Sequence, residues 1–400
     1  MNRGEVIVVV LCVSILIVLG GPFILASRKS ARDQACVRNL QAMGVNFYAH
    51  ADKDAKGRLC TGATDWLRDG CPTNYGWVAD LMRISGEKPS FLQCPSNTVK
   101  GPEMLNDLIG HPTGPPRPRL PKELWNRYDK PDCNAFALQN VPSQQIGTLE
   151  AGSPERIGYV ENLVSQGLAT NYVPSWFLVR SSFTLQGDEH GNAVLPSEWS
   201  VTEVGGSQGP LTVRQLETSK IPSSLFPLMA DAAPRSGERG KLSQALKGVG
   251  PKGTPLGASL TGGPIYYHPK RNVFVSLLPG KIIVPKDLAK EWHRPFCEDR
   301  YPTYGKPGDP GMDGKLWMQD TRQWKALHGQ GEKKIAHILM ADGSVKAITD
   351  RNGDGYINPG FPVQKPTATY RDDTVETTVF EVYLSACVPY WGYMPKGTFE

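Results

Sequence analysis

Val6 to Ala26 reads VIVVVLCVSILIVLGGPFILA, a run of 21 residues without a charge. As a helix rising ~1.5 Å per residue, such a run spans the ~30 Å hydrocarbon core of a bilayer. Val and Ile are mediocre helix formers in water, but in lipid an unpaired backbone group is too costly and the helix is imposed. Gly20, Gly21 and Pro22 soften or kink the far end. The run is longer than the apolar core of a signal peptide, and Ile24-Leu25-Ala26 is a poor small-x-small cleavage site. The segment 6–26 is therefore expected to be a retained anchor. Arg3 precedes it, while Arg28, Lys29, Arg32 and Arg38 follow. Charge alone would place the following side in the cytoplasm.

The rest of the 400-residue chain is long enough for a substantial core, with 40% hydrophobic residues. The net charge of +5 is small and scattered, which argues against a nucleic-acid binder. Gly 42 and Pro 34 make up about a fifth of the chain, above the usual share but below that of low-complexity disorder. The expected body is loop-rich and strand-rich. Eight cysteines occur, at 12, 36, 60, 71, 94, 133, 297 and 387, and none forms a CxxC pair. Disulfides are expected among Cys60, Cys71, Cys94 and Cys133, which crowd one turn-rich region, with Cys297–Cys387 a further pairing.

Glu5 opens the apolar run and Pro22 lies 17 residues later, a spacing similar to the N-terminal helix of type IV pilins and type II secretion pseudopilins. After the membrane-length run comes SRKSARDQACVRNLQAMG, Ser27 to Gly44. It resembles the pilin-like H-X9-DG (DUF1559) proteins of the planctomycete type at Arg28, Ala31, Arg32, Cys36, Asn39, Leu40 and Gly44. The resemblance implies a cytoplasmic N-terminus with the body periplasmic or extracellular: a single-pass protein of the inner membrane, overriding the charge rule. It also implies that Glu5 acts in assembly by pairing with a neighbouring subunit. The chain departs from the pilin pattern in that Gly4 abuts Glu5 directly, so the usual peptidase recognition site is missing. A solvated glutamate favouring the helix dipole is the other reading of Glu5.

The fold class expected is α+β: a pilin-like N-terminal helix over residues 1–50, then a mostly antiparallel, β-rich body over 51–400. Leu40, Met43 and Phe47 recur at i, i+3 and i+7, one apolar stripe that packs the helix on that body. Strands are expected at Ile157–Val160, Trp176–Leu185 and Val273–Leu278. A Pro-rich linker is expected at 110–122, and a mobile loop at 234–264.

Near the C-terminus, HILMADGSVK (His337 to Lys346) reads as strand, Asp-Gly turn, strand. It resembles the signature that names the H-X9-DG family, with Asp342 and Gly343 matched. Glu332 stands where the family's histidine would, leaving His328 or His337 as its substitute. Next, DRNGDGYI (Asp350 to Ile357) has the D-x-N-x-D-G form of the first half of a calcium loop. Oxygens of Asp350, Asn352 and Asp354 and the Tyr356 carbonyl would converge on one ion, and the glycine at position 6 permits the sharp turn. Calcium is thus the expected cofactor. Position 12 holds Phe361 where a bidentate Glu is needed, so Asp372, Asp373 or Glu376 must fold back to complete the shell. A β-turn without metal is the competing reading.

No GxSxG, HExxH or P-loop occurs, and the chain is expected not to be an enzyme. The best acidic candidates for a hydrolase, Asp231 and the run Asp188-Glu189-His190, both read as turns. The expected function is that of a membrane-anchored pilin- or pseudopilin-like structural or secretion-associated protein, with the membrane and further copies of itself as partners. An anchored solute- or carbohydrate-binding protein, stacking sugars on aromatic side chains, is the alternative.

Overall fold

The computed structural model describes residues 2–86, 89–110, 119–128, 133, 149–219, 221–284, 316–329 and 333–385. One helix, α1, runs unbroken from Arg3 to Ala51. On it Cys36, Leu40, Met43 and Phe47 are fully buried, while Val45 is 71% exposed. The apolar stripe thus faces the body and the opposite face meets solvent. Burying each large side chain of the stripe contributes about 1.5–3 kcal/mol.

The expected single-pass inner-membrane anchor requires correction. Among the described residues, no helix is long and apolar enough to cross a membrane. The described side chains of α1 explain why for its second half: the helix is one-sided, and Arg28, Lys29, Arg32, Asp33 and Arg38 interrupt it. A spanning helix must instead be apolar over ~20 consecutive residues. The side chains of residues 5–25, including Glu5, Cys12 and Pro22, lie outside those described.

The body is α+β with antiparallel sheets. Its central sheet has the order β1-β4-β9-β10, formed by Tyr172–Pro174, Pro227–Asp231, Lys334–Met340 and Val345–Asp350. Two three-stranded sheets flank it. One joins β2 (Gln186–Gly187), β3 (Ala193–Val194) and β7 (Ile282–Val284). The other has β5 (Pro264–His268) between β6 (Val273–Ser276) and β8 (Met318–Gln319). β9 and β10 form an antiparallel hairpin, Val345 opposite Leu339, with Gly343 at φ +83° in the Asp-Gly turn. α1 lies against this hairpin. A Cβ on Gly44 would meet Leu339 Cδ1 at 3.1 Å and the Gly343 Cα at 3.5 Å, so the glycine permits a close helix–sheet approach.

Two of the expected strands are helices. After α2 (Trp66–Asp69), α3 (Trp77–Ser85) and α4 (Met104–Ile109), residues 157–160 lie in α5 (Pro154–Gln166), and residues 176–180 form α6 (Trp176–Arg180). Both follow a serine N-cap: Ser153 accepts from the Arg156 amide and Ser175 from the Leu178 amide. The caps outweigh the β-propensity of short apolar runs. Val273–Leu278 does contribute a strand, β6. Residues 234–264 are not a loose loop, because Leu242, Leu246 and Leu256 are buried in a core with Trp66, Tyr128 and α5. The 110–122 stretch falls mostly outside the described residues.

Cys71 and Cys133 form a disulfide with Cα atoms 5.7 Å apart, while Cys36, Cys60 and Cys94 are free and buried. Cys297 and Cys387 lie outside the described residues.

Candidate functional site

The central sheet and α1 enclose a buried cluster of Cys36, Cys94, Asp231 and His328. One ligand-type atom from each lies within 4.8 Å of all the others, and among the described residues this is the one such group of three or more His, Cys, Asp or Glu side chains. Four separate parts of the chain supply it.

Cys36 belongs to the buried stripe of α1, one turn before Leu40. Asp231 ends β4, a strand buried along its whole length. Cys94 is set by Asn171, whose side chain accepts from the Cys94 amide (2.7 Å) and donates to its carbonyl (2.9 Å). His328 precedes β9 and is fixed by two backbone bonds with Ile335, of 3.1 and 3.0 Å.

Within the cluster the Cys36 thiol donates to Asp231 Oδ2 at 3.1 Å. His328 Nε2 lies 2.9 Å from the same oxygen and 3.7 Å from Cys94 Sγ. On the far side of the ring, Nδ1 meets Asp33 Oδ1 at 2.8 Å, and Asp33 Oδ2 accepts from the Gly329 amide. Asp33 is one helical turn before Cys36, so the same face of α1 supplies a thiol and the carboxylate that orients the imidazole. The Tyr172 hydroxyl donates to Cys36 Sγ at 3.5 Å, and Asn39 donates to that hydroxyl.

Burial opposes a charge on His328, yet its hydrogen bonds with Asp231, Cys94 and Asp33 push it up to about 10. Burial and the neighbouring His328 charge pull His337 down. The two thiols move apart: the hydrogen bond with Cys94 and burial raise Cys36, while the bond with Cys36 lowers Cys94. Chemically, the arrangement offers two sulfurs, an imidazole nitrogen and a carboxylate oxygen in one buried space.

The loop expected to hold calcium is placed differently. Asp350 ends β10, and its two oxygens accept from the Gly353 and Gly355 amides at 2.6 and 2.7 Å. Asn352 Oδ1 accepts from the Asp354 amide, and Asp354 Oδ1 from Tyr356. Lys325 reaches the loop, its Nζ 4.0 Å over the Tyr356 ring and 3.5 Å from the Asp354 carbonyl. Phe361 is buried in the core against Phe274 and Tyr370, and supplies no ligand. Glu376 does fold back: its carboxylate accepts from the Arg351 and Asn358 amides, and burial beside Asp354 and Asp350 pushes it up to about 7. Asp372 Oδ1 accepts from Asn352 Nδ2. The loop's side chains are thus assembled, with most of their oxygens on amides.

The remaining candidates separate. Asp342 is in the hairpin turn, where it accepts from the Ser344 amide and hydroxyl. His328, the distant of the two histidine substitutes, is the one in the cluster, and its ring centroid is 4.5 Å from that of His337. Asp188 accepts from the His190 and Asn192 amides in a turn at the surface. Trp66, Trp77, Trp176 and Trp324 are fully buried and present no stacking platform. One groove of about 500 Å³ runs beside α5, lined by Gln93, Glu161, Asn162 and Lys247 among others, and has no aromatic side chain in its wall.

In the sequence Cys36 is marked only by the family resemblance, Asp231 only as an acidic candidate and His328 as one of two histidine substitutes, while Cys94 is expected in a disulfide. No local spacing marks the cluster, because its four members come singly from distant parts of the chain. Comparison with family models, curated proteins and solved structures finds no match.

Proposed function

We propose that the chain is a pilin-like structural protein, secretion-associated rather than catalytic, whose first helix is the spine on which the body is mounted. The observation that carries this reading is where the resemblance residues meet. Gly44 of the helix run lies against Gly343 of the Asp-Gly hairpin. Asp33 and Cys36, within that run, close on His328 and Asp231. Two stretches almost 300 residues apart thus form one helix–hairpin contact, the arrangement a spine-mounted body requires.

The four cluster residues are buried, which supports a structural role. The groove beside α5 has no aromatic side chain in its wall, so it offers no platform for stacking a sugar. In this reading the first part of α1, with Glu5, makes contacts between copies.

The test is self-association of the full chain in its own cells. A photo-crosslinking residue placed singly along residues 6–25 should yield a ladder of homo-oligomers at positions on one helical face, and Glu5→Ala should weaken that ladder. Monomer at every position would overturn the reading.

A further inference from the structure

We infer that Cys36, Cys94, Asp231 and His328 are the four ligands of a closed, tetrahedral site for a divalent transition metal of the zinc class, which staples α1 to the central sheet. The inference does not rest on self-association and would stand if the pilin-like reading failed.

The donor set is the first argument. Two thiolates, one imidazole and one carboxylate suit zinc, whose bonds of about 2.3 Å to sulfur and about 2.0–2.2 Å to nitrogen or oxygen put neighbouring donors roughly 3.3–3.8 Å apart in a tetrahedron. The observed Cys94 Sγ–His328 Nε2 separation is 3.7 Å. Cys36 Sγ–Asp231 Oδ2 is 3.1 Å and His328 Nε2–Asp231 Oδ2 is 2.9 Å, and all four atoms lie within 4.8 Å of each other. An ion at the centre needs donor shifts of only a few tenths of an ångström at these contacts.

The surroundings are the second argument. Metal-bound histidines almost always give their other ring nitrogen to a carboxylate or carbonyl, which fixes the tautomer. Asp33 does this at Nδ1, leaving Nε2 to point at Cys94 and Asp231. The Tyr172 hydroxyl is placed to donate to the Cys36 sulfur, as an outer-shell group does to a thiolate. Asp231 is fully buried, and its Oδ1 has no hydrogen-bond partner. A buried carboxylate with one oxygen unpaired is costly, and a cation beside it removes that cost.

Four protein ligands with no open position define a structural rather than a catalytic centre. On binding, the thiols and Nε2 release their protons to solvent, and the imidazole keeps its Nδ1 proton on Asp33. Because Cys36 lies on α1 and the other three on the body, the ion would bind the folded state and the docked helix together.

The experiment uses the full chain, purified under reducing conditions without a histidine tag. Metal content by mass spectrometry is expected at one zinc per chain. Cobalt exchanged into this site should give the intense ligand-field bands of a tetrahedral ion with thiolate-to-metal charge transfer. Cys36→Ser and Cys94→Ser should each lose part of the charge-transfer band, and His328→Ala should lose stoichiometric binding. If these variants do not fold, the wild-type titration decides alone. Saturation at one equivalent with a tetrahedral spectrum supports the site. No uptake of zinc or cobalt by folded, reduced protein would overturn it, leaving an imidazolium held between Asp33 and Asp231. A native Cys36–Cys94 disulfide found by peptide mapping would also overturn it.

Discussion

In the Asp350–Tyr356 loop the candidate ligands are sequence neighbours, and their oxygens are held by the loop's own amides. In the cluster beneath α1 they come from positions 36, 94, 231 and 328, and they face one another. The loop is built by local turn geometry and can form wherever glycine allows a positive φ, as Gly353 and Gly355 do at +75° and +84°. The cluster exists only when helix, sheet and two connecting segments are in place. Residue types that bind metals therefore mean little until it is known what else satisfies them. Amides and the nearby Lys325 already satisfy much of the loop. The cluster leaves Asp231 Oδ1 without a partner.

The contrast predicts unequal consequences of mutation. His328→Ala removes the side chain that two carboxylates share as a partner, one of them fully buried. Breaking a buried pair from one side costs about 3–5 kcal/mol. Denaturant unfolding should show a loss of that order, larger than for any single ligand change in the loop. A loss under about 1 kcal/mol would mean that the cluster is as self-sufficient as the loop.

Gly44→Ala tests whether the helix–hairpin approach that assembles the cluster is as tight as it looks. The added methyl must displace Leu339 by a few tenths of an ångström, and overpacking of this kind costs roughly 1–3 kcal/mol. Thermal unfolding of the variant should be lower by a few degrees, with reduced protection of the α1 amides in hydrogen exchange. Unchanged exchange in α1 would show that this contact does not hold the helix down.

Asp107, remote from both sites, supplies the background against which their pH responses are read. Burial outweighs its Arg239 partner and pushes its carboxyl up to about 7. The folded state therefore holds this proton in the window between the ordinary aspartate range and about 7, where the unfolded chain has lost it. Stability should fall as pH rises through that window, by up to about 1.4 kcal/mol per pH unit. Asp107→Asn should flatten the profile; the same slope in both proteins would place the titration elsewhere.

The smallest effect is expected at the loop. Partial calcium shells of this kind bind in the ~10⁻⁴–10⁻³ M range, so millimolar calcium stabilises by about 0.4–1.4 kcal/mol. Melting with calcium and with chelator should differ slightly, and Asp354→Ala should remove the difference. No difference in the parent protein would reduce the segment to a turn.

The sequence by itself determined the elements whose cause is local. The α1 stripe is legible because a helix repeats every 3.6 residues, and Leu40, Met43 and Phe47 obey that period. The β9–β10 hairpin is legible because Asp342-Gly343 is a turn dipeptide between apolar runs. The Asp350 turn is legible because its Asp, Asn and Gly residues are spaced by turn geometry. The same local reasoning misread residues 157–160 and 176–180 as strands, since short apolar runs fit either period and only Ser153 and Ser175 mark the helices. Tertiary structure alone decided that Cys71 pairs with Cys133 while Cys94 stays reduced beside His328. It alone decided that Asp231 is a buried strand end and not a turn, and that His328 rather than His337 meets it. Those outcomes depend on contacts between residues as much as 295 positions apart, which leave no periodic mark in the chain.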